Sequence, residues 1–229
     1  MYRYRLYQLL LLLSLGLFGH HASSQTILVF GDSLSAAYKL NPADGWVNLL
    51  QNKANQQKLK LTYVNASIPG ETTRGGLSRF KQALDKHHPN IVILELGAND
   101  GLRGFPPKVI QSNLDRMIKL AQKQQAKLLL VGIYLPPNYG KRYTEMFHNI
   151  FINLAKQYNL ALLPFLLKGV GTNKLLMQED GLHPTIKAQP LIAATVWEKL
   201  SPLVTQSAAT STINQSSNKQ VNRNAVTGN

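Results

Sequence analysis

From Thr26 onward, short continuous apolar runs alternate with longer stretches whose apolar positions recur at helical spacing. Five runs read as strands: Thr26 to Phe30, Leu59 to Val64, Ile91 to Leu96, Lys127 to Ile133 and Leu160 to Phe165. They are short and rich in branched side chains, and Gly31 and Gly97 stop the first and third. Helices are predicted over Trp46–Gln57, Thr72–Asp85, Lys108–Gln125, Tyr143–Tyr158 and Thr185–Leu200, the last disturbed at Pro190. Leu77, Phe80 and Leu84 share one helical stripe, as do Ile110, Leu114, Met117 and Ile118. A half-buried strand alternates apolar and polar residues; these runs do not, so both faces of their sheet are covered. Parallel neighbours need crossover helices, and the alternation supplies them. The pattern therefore predicts an α/β fold, a doubly wound sandwich around a five-stranded parallel sheet. Ligands in such sheets bind beyond the carboxyl ends of the strands.

The two ends of the chain depart from this pattern. Arg3 and Arg5 precede an apolar run from Leu9 to Phe18, and small residues follow at Ala22, Ser23 and Ser24. That order predicts a secretory signal peptide over residues 1–24, and hence a periplasmic or secreted protein. The run is too short for the roughly 20 residues of a spanning helix. From Gln206 to Asn229 polar Ser, Thr, Asn and Gln dominate without apolar periodicity, which predicts a disordered tail. One domain is expected over residues 25–205.

Composition narrows the chemistry. The 229 residues contain no cysteine, which excludes disulfides, thiolate zinc sites and a thiol nucleophile. Lys and Arg number 25 against 11 Asp and Glu, a net charge of +14; losing Arg3 and Arg5 with a leader would take it to +12. The basic residues are scattered, and no zinc-finger spacing or RNA-binding aromatic pattern accompanies them, so nucleic acid is not the expected partner. An anionic membrane surface remains open.

Polar, Gly-punctuated turns follow the first three strands: Gly31-Asp32-Ser33-Leu34-Ser35, Asn65-Ala66-Ser67-Ile68-Pro69-Gly70 and Gly97-Ala98-Asn99-Asp100-Gly101. Near the end comes Asp180-Gly181-Leu182-His183-Pro184. These are the parts of an activated nucleophile. A serine hydroxyl needs a base, and His183 is the candidate. The imidazole needs a partner on its other nitrogen, and Asp180, three residues earlier, can fold back onto it. Backbone N–H groups at the Ser33 turn can receive an oxyanion. Each part alone has a plainer reading: Ser33 as a helix cap, Gly70 as a turn glycine, Asn99-Asp100-Gly101 as turn chemistry, His183 as a surface histidine. Four such sites at one sheet edge favour chemistry.

In order and spacing these blocks resemble the SGNH/GDSL hydrolases, and within them the bacterial group of multifunctional acyl-CoA thioesterase I, arylesterase and lysophospholipase enzymes. The resemblance runs from Thr26 to Val204 and includes Gly101-Leu102-Arg103-Gly104-Phe105 and Leu135-Pro136-Pro137-Asn138-Tyr139-Gly140. It implies a flavodoxin-like three-layer α/β/α sandwich. It implies Ser33 as nucleophile, His183 as general base and then acid, and Asp180 as its orienting carboxylate. The implied oxyanion hole is the N–H of Ser33, the N–H of Gly70 and the side-chain amide of Asn99. Leu102–Pro107 resembles a loop that closes over the acyl chain, stiffened here by Pro106 and Pro107. The implied substrates are acyl esters, thioesters and lysophospholipids, bound in an apolar groove near Leu34, Phe105, Ile133 and Leu135. No cofactor or metal and a monomeric state are expected.

Other catalytic signatures are missing. The serine context is not G-x-S-x-G, so the α/β-hydrolase elbow fails at its own motif. No H-E-x-x-H spacing appears; His87 and His88, before Pro89, read as surface residues, and His148 as lying on a helix face. Two alternatives stay open: a carbohydrate O-deacetylase of the same fold, and a non-catalytic basic envelope-binding protein.

Overall fold

Each of the five apolar runs becomes a strand of a single sheet in the computed structural model, which describes residues 24–204. The strands are β1 (Gln25–Gly31), β2 (Leu61–Asn65), β3 (Ile91–Glu95), β4 (Lys127–Val131) and β5 (Ala161–Leu163). All pairings are parallel, in the order β2-β1-β3-β4-β5. The predicted signal peptide, apart from Ser24, and the predicted polar tail lie outside the described residues.

Helices cover both sides of the sheet. They are α1 (Trp46–Gln56), α2 (Thr73–His87), the short α3 (Ala98–Leu102), α4 (Pro107–Lys123), α5 (Lys141–Tyr158) and α6 (189–204). α2, α4 and α5 pack in a row. α1 and α6 meet each other: the Trp46 N–H donates to Gln189 at 3.0 Å, and the Lys53 ammonium lies over the Trp197 ring. Ile27 to Phe30 and Ile91 to Leu94 have no exposed surface, which explains why these strands carry no polar alternation. Each large side chain buried this way contributes about 1.5–3 kcal/mol. Phe30 and Phe80 meet edge to face with centroids 4.7 Å apart, locking α2 to β1.

Four details differ from the sequence reading. β5 has three residues rather than six. No helix follows Ser33: residues 33–39 form successive turns, and α1 starts only at Trp46. The plain reading of Ser33 as a helix cap therefore has no helix to cap. α3 was not predicted, being too short to show a period. Pro190 lies in the first turn of α6, where a missing N–H costs no intrahelical bond, so it opens the helix instead of disturbing it.

The strand order positions the site. The chain leaves β1 toward β2 on one side and returns to β3 on the other, so a crevice opens between the carboxyl ends of β1 and β3. Ser33 follows β1 and Asn99 follows β3.

Candidate active site

Ser33 stands two residues past β1, on turns closed by Ala36 N–H to the Asp32 carbonyl (3.0 Å) and Tyr38 N–H to the Ser33 carbonyl (3.3 Å). Its Oγ lies 2.9 Å from His183 Nε2. His183 Nδ1 lies 2.8 Å from Asp180 Oδ2. The other carboxylate oxygen, Oδ1, accepts the N–H groups of Leu182 (2.9 Å) and His183 (3.0 Å). Burial pushes the Asp180 pKa up, but those N–H groups and the imidazole outweigh it and hold the carboxyl at about 2. Asp180 is thus an anion at any ordinary pH, with one oxygen fixing the loop and the other fixing the imidazole.

The loop that carries the histidine is tied to the turn that carries the serine. Gln178 Nε2 donates to the Tyr38 carbonyl (3.1 Å) and to the Pro184 carbonyl (3.0 Å). Met177 and Pro184 form an antiparallel bridge, and the Gln178 N–H donates to the His183 carbonyl at 2.7 Å. The Tyr38 ring packs beside the imidazole, with centroids 4.4 Å apart. Gln178 and Tyr38 carried no signal in the sequence, because their role depends on two loops meeting across 140 residues.

Gly70 has φ +78° with open space where a Cβ would stand, so glycine serves the backbone conformation there. Asn99 Nδ2 donates to Asp32 Oδ2 (3.1 Å) and to the carbonyl of Glu71, next to Gly70 (3.0 Å). Asp100 accepts from the N–H (2.8 Å) and hydroxyl (2.5 Å) of Thr73, joining α3 to the start of α2. Glu71 is paired with Arg79 at 2.6 Å, and Arg79 also reaches the Ala66 carbonyl at 2.8 Å. The three expected oxyanion donors therefore sit on segments that are cross-linked to one another.

Two buried carboxyls lie behind Ser33, and neither was given a role from sequence. Asp32 and Glu95 have no exposed surface. Asp32 Oδ1 accepts the Leu34 N–H at 3.0 Å. Glu95 Oε2 accepts the Ser35 hydroxyl (2.7 Å) and the Asp32 N–H (3.3 Å). Burial pushes Asp32 up to about 7 against the pull of Leu34 and Asn99, and pushes Glu95 well above the ordinary carboxylate range. A glutamate ending an otherwise apolar strand, Ile91-Val92-Ile93-Leu94-Glu95, was the available signal.

A cleft of about 540 Å³ opens beside the serine, with Ser33, Asn99 and His183 in its wall. Leu34, Leu102, Ile133, Leu135, Leu167 and Met177 make much of the rest. Of the four residues expected to bind substrate, Leu34, Ile133 and Leu135 line it and Phe105 does not. Phe105 packs against the core instead, and its carbonyl accepts the Tyr143 hydroxyl at 2.7 Å. Tyr139 donates to the Leu102 carbonyl at 2.8 Å, so two tyrosines brace the 102–107 loop along with its prolines. His148, on α5, stacks under Tyr134, whose hydroxyl lies 2.7 Å from its Nε2, and burial pushes its pKa down.

A profile described as GDSL-like Lipase/Acylhydrolase family matches residues 29–189. The chain belongs to this GDSL family. Esterase TesA of Pseudomonas aeruginosa is 47% identical over 192 residues, which cover 84% of this chain and 96% of that protein. Thioesterase 1/protease 1/lysophospholipase L1 of Escherichia coli K12 is 43% identical over 183 residues, 80% of this chain and 86% of that one. The crystal structure of the psychrotrophic esterase EstA from Pseudoalteromonas sp., inhibited by monoethylphosphonate, superposes with a TM-score of 0.76 at 44% identity; the match covers 79% of this chain and 99% of that chain. The protein is accordingly a hydrolase of the GDSL/SGNH type.

Proposed function

We propose that the protein is an exported serine hydrolase that cleaves carboxylic esters and thioesters of acyl chains through an acyl-enzyme on Ser33. The observation that carries this reading is the unbroken Asp180–His183–Ser33 relay, with steps of 2.8 and 2.9 Å, opening on an apolar cleft. His183 Nε2 takes the Ser33 proton as Oγ attacks the carbonyl carbon, and Asp180 stabilises the imidazolium. Negative charge develops on the carbonyl oxygen, which the Ser33 and Gly70 N–H groups and Asn99 Nδ2 receive. Both Asn99 amide hydrogens are engaged without substrate, so the oxyanion takes one over from the Glu71 carbonyl. The imidazolium then protonates the leaving alcohol or thiol. Water repeats the sequence on the acyl-enzyme and frees the acid.

The lining, mostly aliphatic around the aromatics Tyr134 and Phe165, favours an acyl chain over a glycan. Export rests on the predicted leader, and no helix among the described residues is long and apolar enough to cross a membrane. Anionic lipid is the proposed surface for a long-chain substrate. Leu182, in the cleft wall, is exposed, as are Ile68 on the β2–α2 loop, Ile186 and, at 82%, Leu175; the last two lie on single-turn helices flanking the histidine loop, beside Lys187 and Lys174. Liposome binding that ignores salt counts against that surface.

The test is hydrolysis of p-nitrophenyl esters from acetyl to palmitoyl. Ser33→Ala is expected to lower kcat by about 10⁶ and Asn99→Ala by about 10²–10³. Activity retained in a folded Ser33→Ala variant refutes the reading, and activity confined to acetyl esters moves it to the deacetylase.

A further inference from the structure

We propose that Asp32 is a positioning residue whose carboxylate ties the nucleophile turn to the Asn99 amide and so sets the oxyanion hole. The inference rests on the ester-hydrolase reading above. Its basis is a division of labour between two oxygens of one buried group. Oδ1 accepts the Leu34 N–H at 3.0 Å, closing an Asx-type turn around Ser33. That turn fixes the direction of the Ser33 N–H as well as of its Oγ. Oδ2 accepts Asn99 Nδ2 at 3.1 Å, and the same nitrogen donates to the Glu71 carbonyl at 3.0 Å. One carboxylate thus reaches the backbone of the first donor and the side chain of the third. Through Asn99 it also reaches the residue after Gly70, the second donor.

Asp32 touches no substrate, since it has no exposed surface and lies outside the lining of the cleft. It acts through Asn99 and the Ser33 turn. Its own N–H is held by Glu95, which also takes the Ser35 hydroxyl, so its backbone cannot drift. Both Asp32 oxygens already accept an N–H. A proton placed on either one removes the charge that strengthens both ties and competes with a donor for the oxygen. An asparagine at position 32 meets the same conflict: if its oxygen keeps the Leu34 N–H, its NH₂ faces the NH₂ of Asn99.

Carboxyls face Asp32 from three directions: Glu95 on β3, Asp100 on α3 and Glu71 on the β2–α2 loop. The nearby cations are Arg79, paired with Glu71, and Arg103, close to Asp100. Burial and these carboxyls push Asp32 up to about 7. Its tie therefore strengthens as pH rises through neutrality, in the same direction as the need for a neutral His183 base. The acid limb of kcat should then require loss of two protons.

A double-mutant cycle on the full chain tests the idea, with p-nitrophenyl butyrate as substrate. Asp32→Asn should lower kcat about 10²-fold, the scale of one oxyanion donor, with KM nearly unchanged. In an Asn99→Ala background the same substitution should cost only a few-fold, because the group it positions is gone. The acid limb should fall from two protons in the wild type to one in Asp32→Asn. Independent, multiplying losses overturn the proposal, as does a loss confined to KM. If Asp32→Asn does not fold, the pH profiles of wild type and Glu95→Gln decide: a two-proton limb kept in both supports the tie, and a one-proton limb in either overturns it. Wild-type turnover that does not depend on Ser33 is a different failure, that of the hydrolase reading itself.

Discussion

Replacing Gly31 by Ala tests whether the floor beneath Ser33 is as tight as the packing implies. Gly31 ends β1 without a positive φ, so its backbone suits any residue and only space excludes one. A Cβ at that position would lie 2.6 Å from Glu95 Oε2, 2.8 Å from Ser35 Oγ and 3.0 Å from the Glu95 carbonyl oxygen, where ordinary contact begins at 3.4 Å. The two side-chain atoms are buried and bonded to each other at 2.7 Å, so neither swings into solvent. Room for the methyl group requires a local shift of roughly 0.5–1 Å, an overpacking that costs about 1–3 kcal/mol. For a domain of this size each kcal/mol lowers Tm by about 2–4 °C, so a fall of roughly 5 °C is expected. Ser33 is two residues away, and a misplacement of about 1 Å costs on the order of 10²-fold in rate. Thermal unfolding and steady-state hydrolysis of p-nitrophenyl butyrate read both effects, with the loss in kcat exceeding the change in KM. Adding Ser35→Gly removes one of the three clashing atoms and should recover part of the Tm. A Gly31→Ala protein with wild-type Tm and kcat refutes the argument.

Two further outcomes follow from the cleft and the buried carboxyls. Ile133→Trp fills the cleft beside the serine; losing contact with two or three methylenes at about 0.8 kcal/mol each should reduce kcat/KM for decanoyl relative to acetyl esters roughly 10–50-fold, and an unchanged ratio places the acyl chain elsewhere. Glu95 and Asp32 have folded pKa values above their unfolded ones, so their contribution is full below the ordinary carboxylate range and is lost as pH rises through the raised values, about 7 for Asp32. Wild-type Tm should therefore fall more from pH 5 to pH 9 than that of Glu95→Gln, and parallel curves contradict a buried, proton-holding Glu95.

Periodicity and block order alone determined much of this protein. The uninterrupted apolar runs of β1, β3 and β4 required a sheet covered on both faces, whereas the edge run from Leu59 to Val64 carries Lys60 and Thr62, and both are exposed. Ser33, Asp180 and His183 were legible as a candidate set because a hydroxyl, a carboxylate and an imidazole are chemically distinctive types, and Asp180 and His183 are three residues apart in a turn. Tertiary structure decided the rest. Which strand edges adjoin depends on the order β2-β1-β3-β4-β5, and that order alone brings Asp32 within 3.1 Å of Asn99, 67 residues later. Phe105 is apolar and close in sequence to the Asn99 block, yet it faces the core rather than the cleft, because the direction of a loop side chain is set by what braces the loop. Glu95 shows the limit most clearly. A carboxyl at a strand end reads as solvent-facing until the sheet, Ser35 and the Asp32 turn close over it. Burial then makes it a proton-holding group beneath the Ser33 turn, and burial is a property of the assembled fold rather than of the residue.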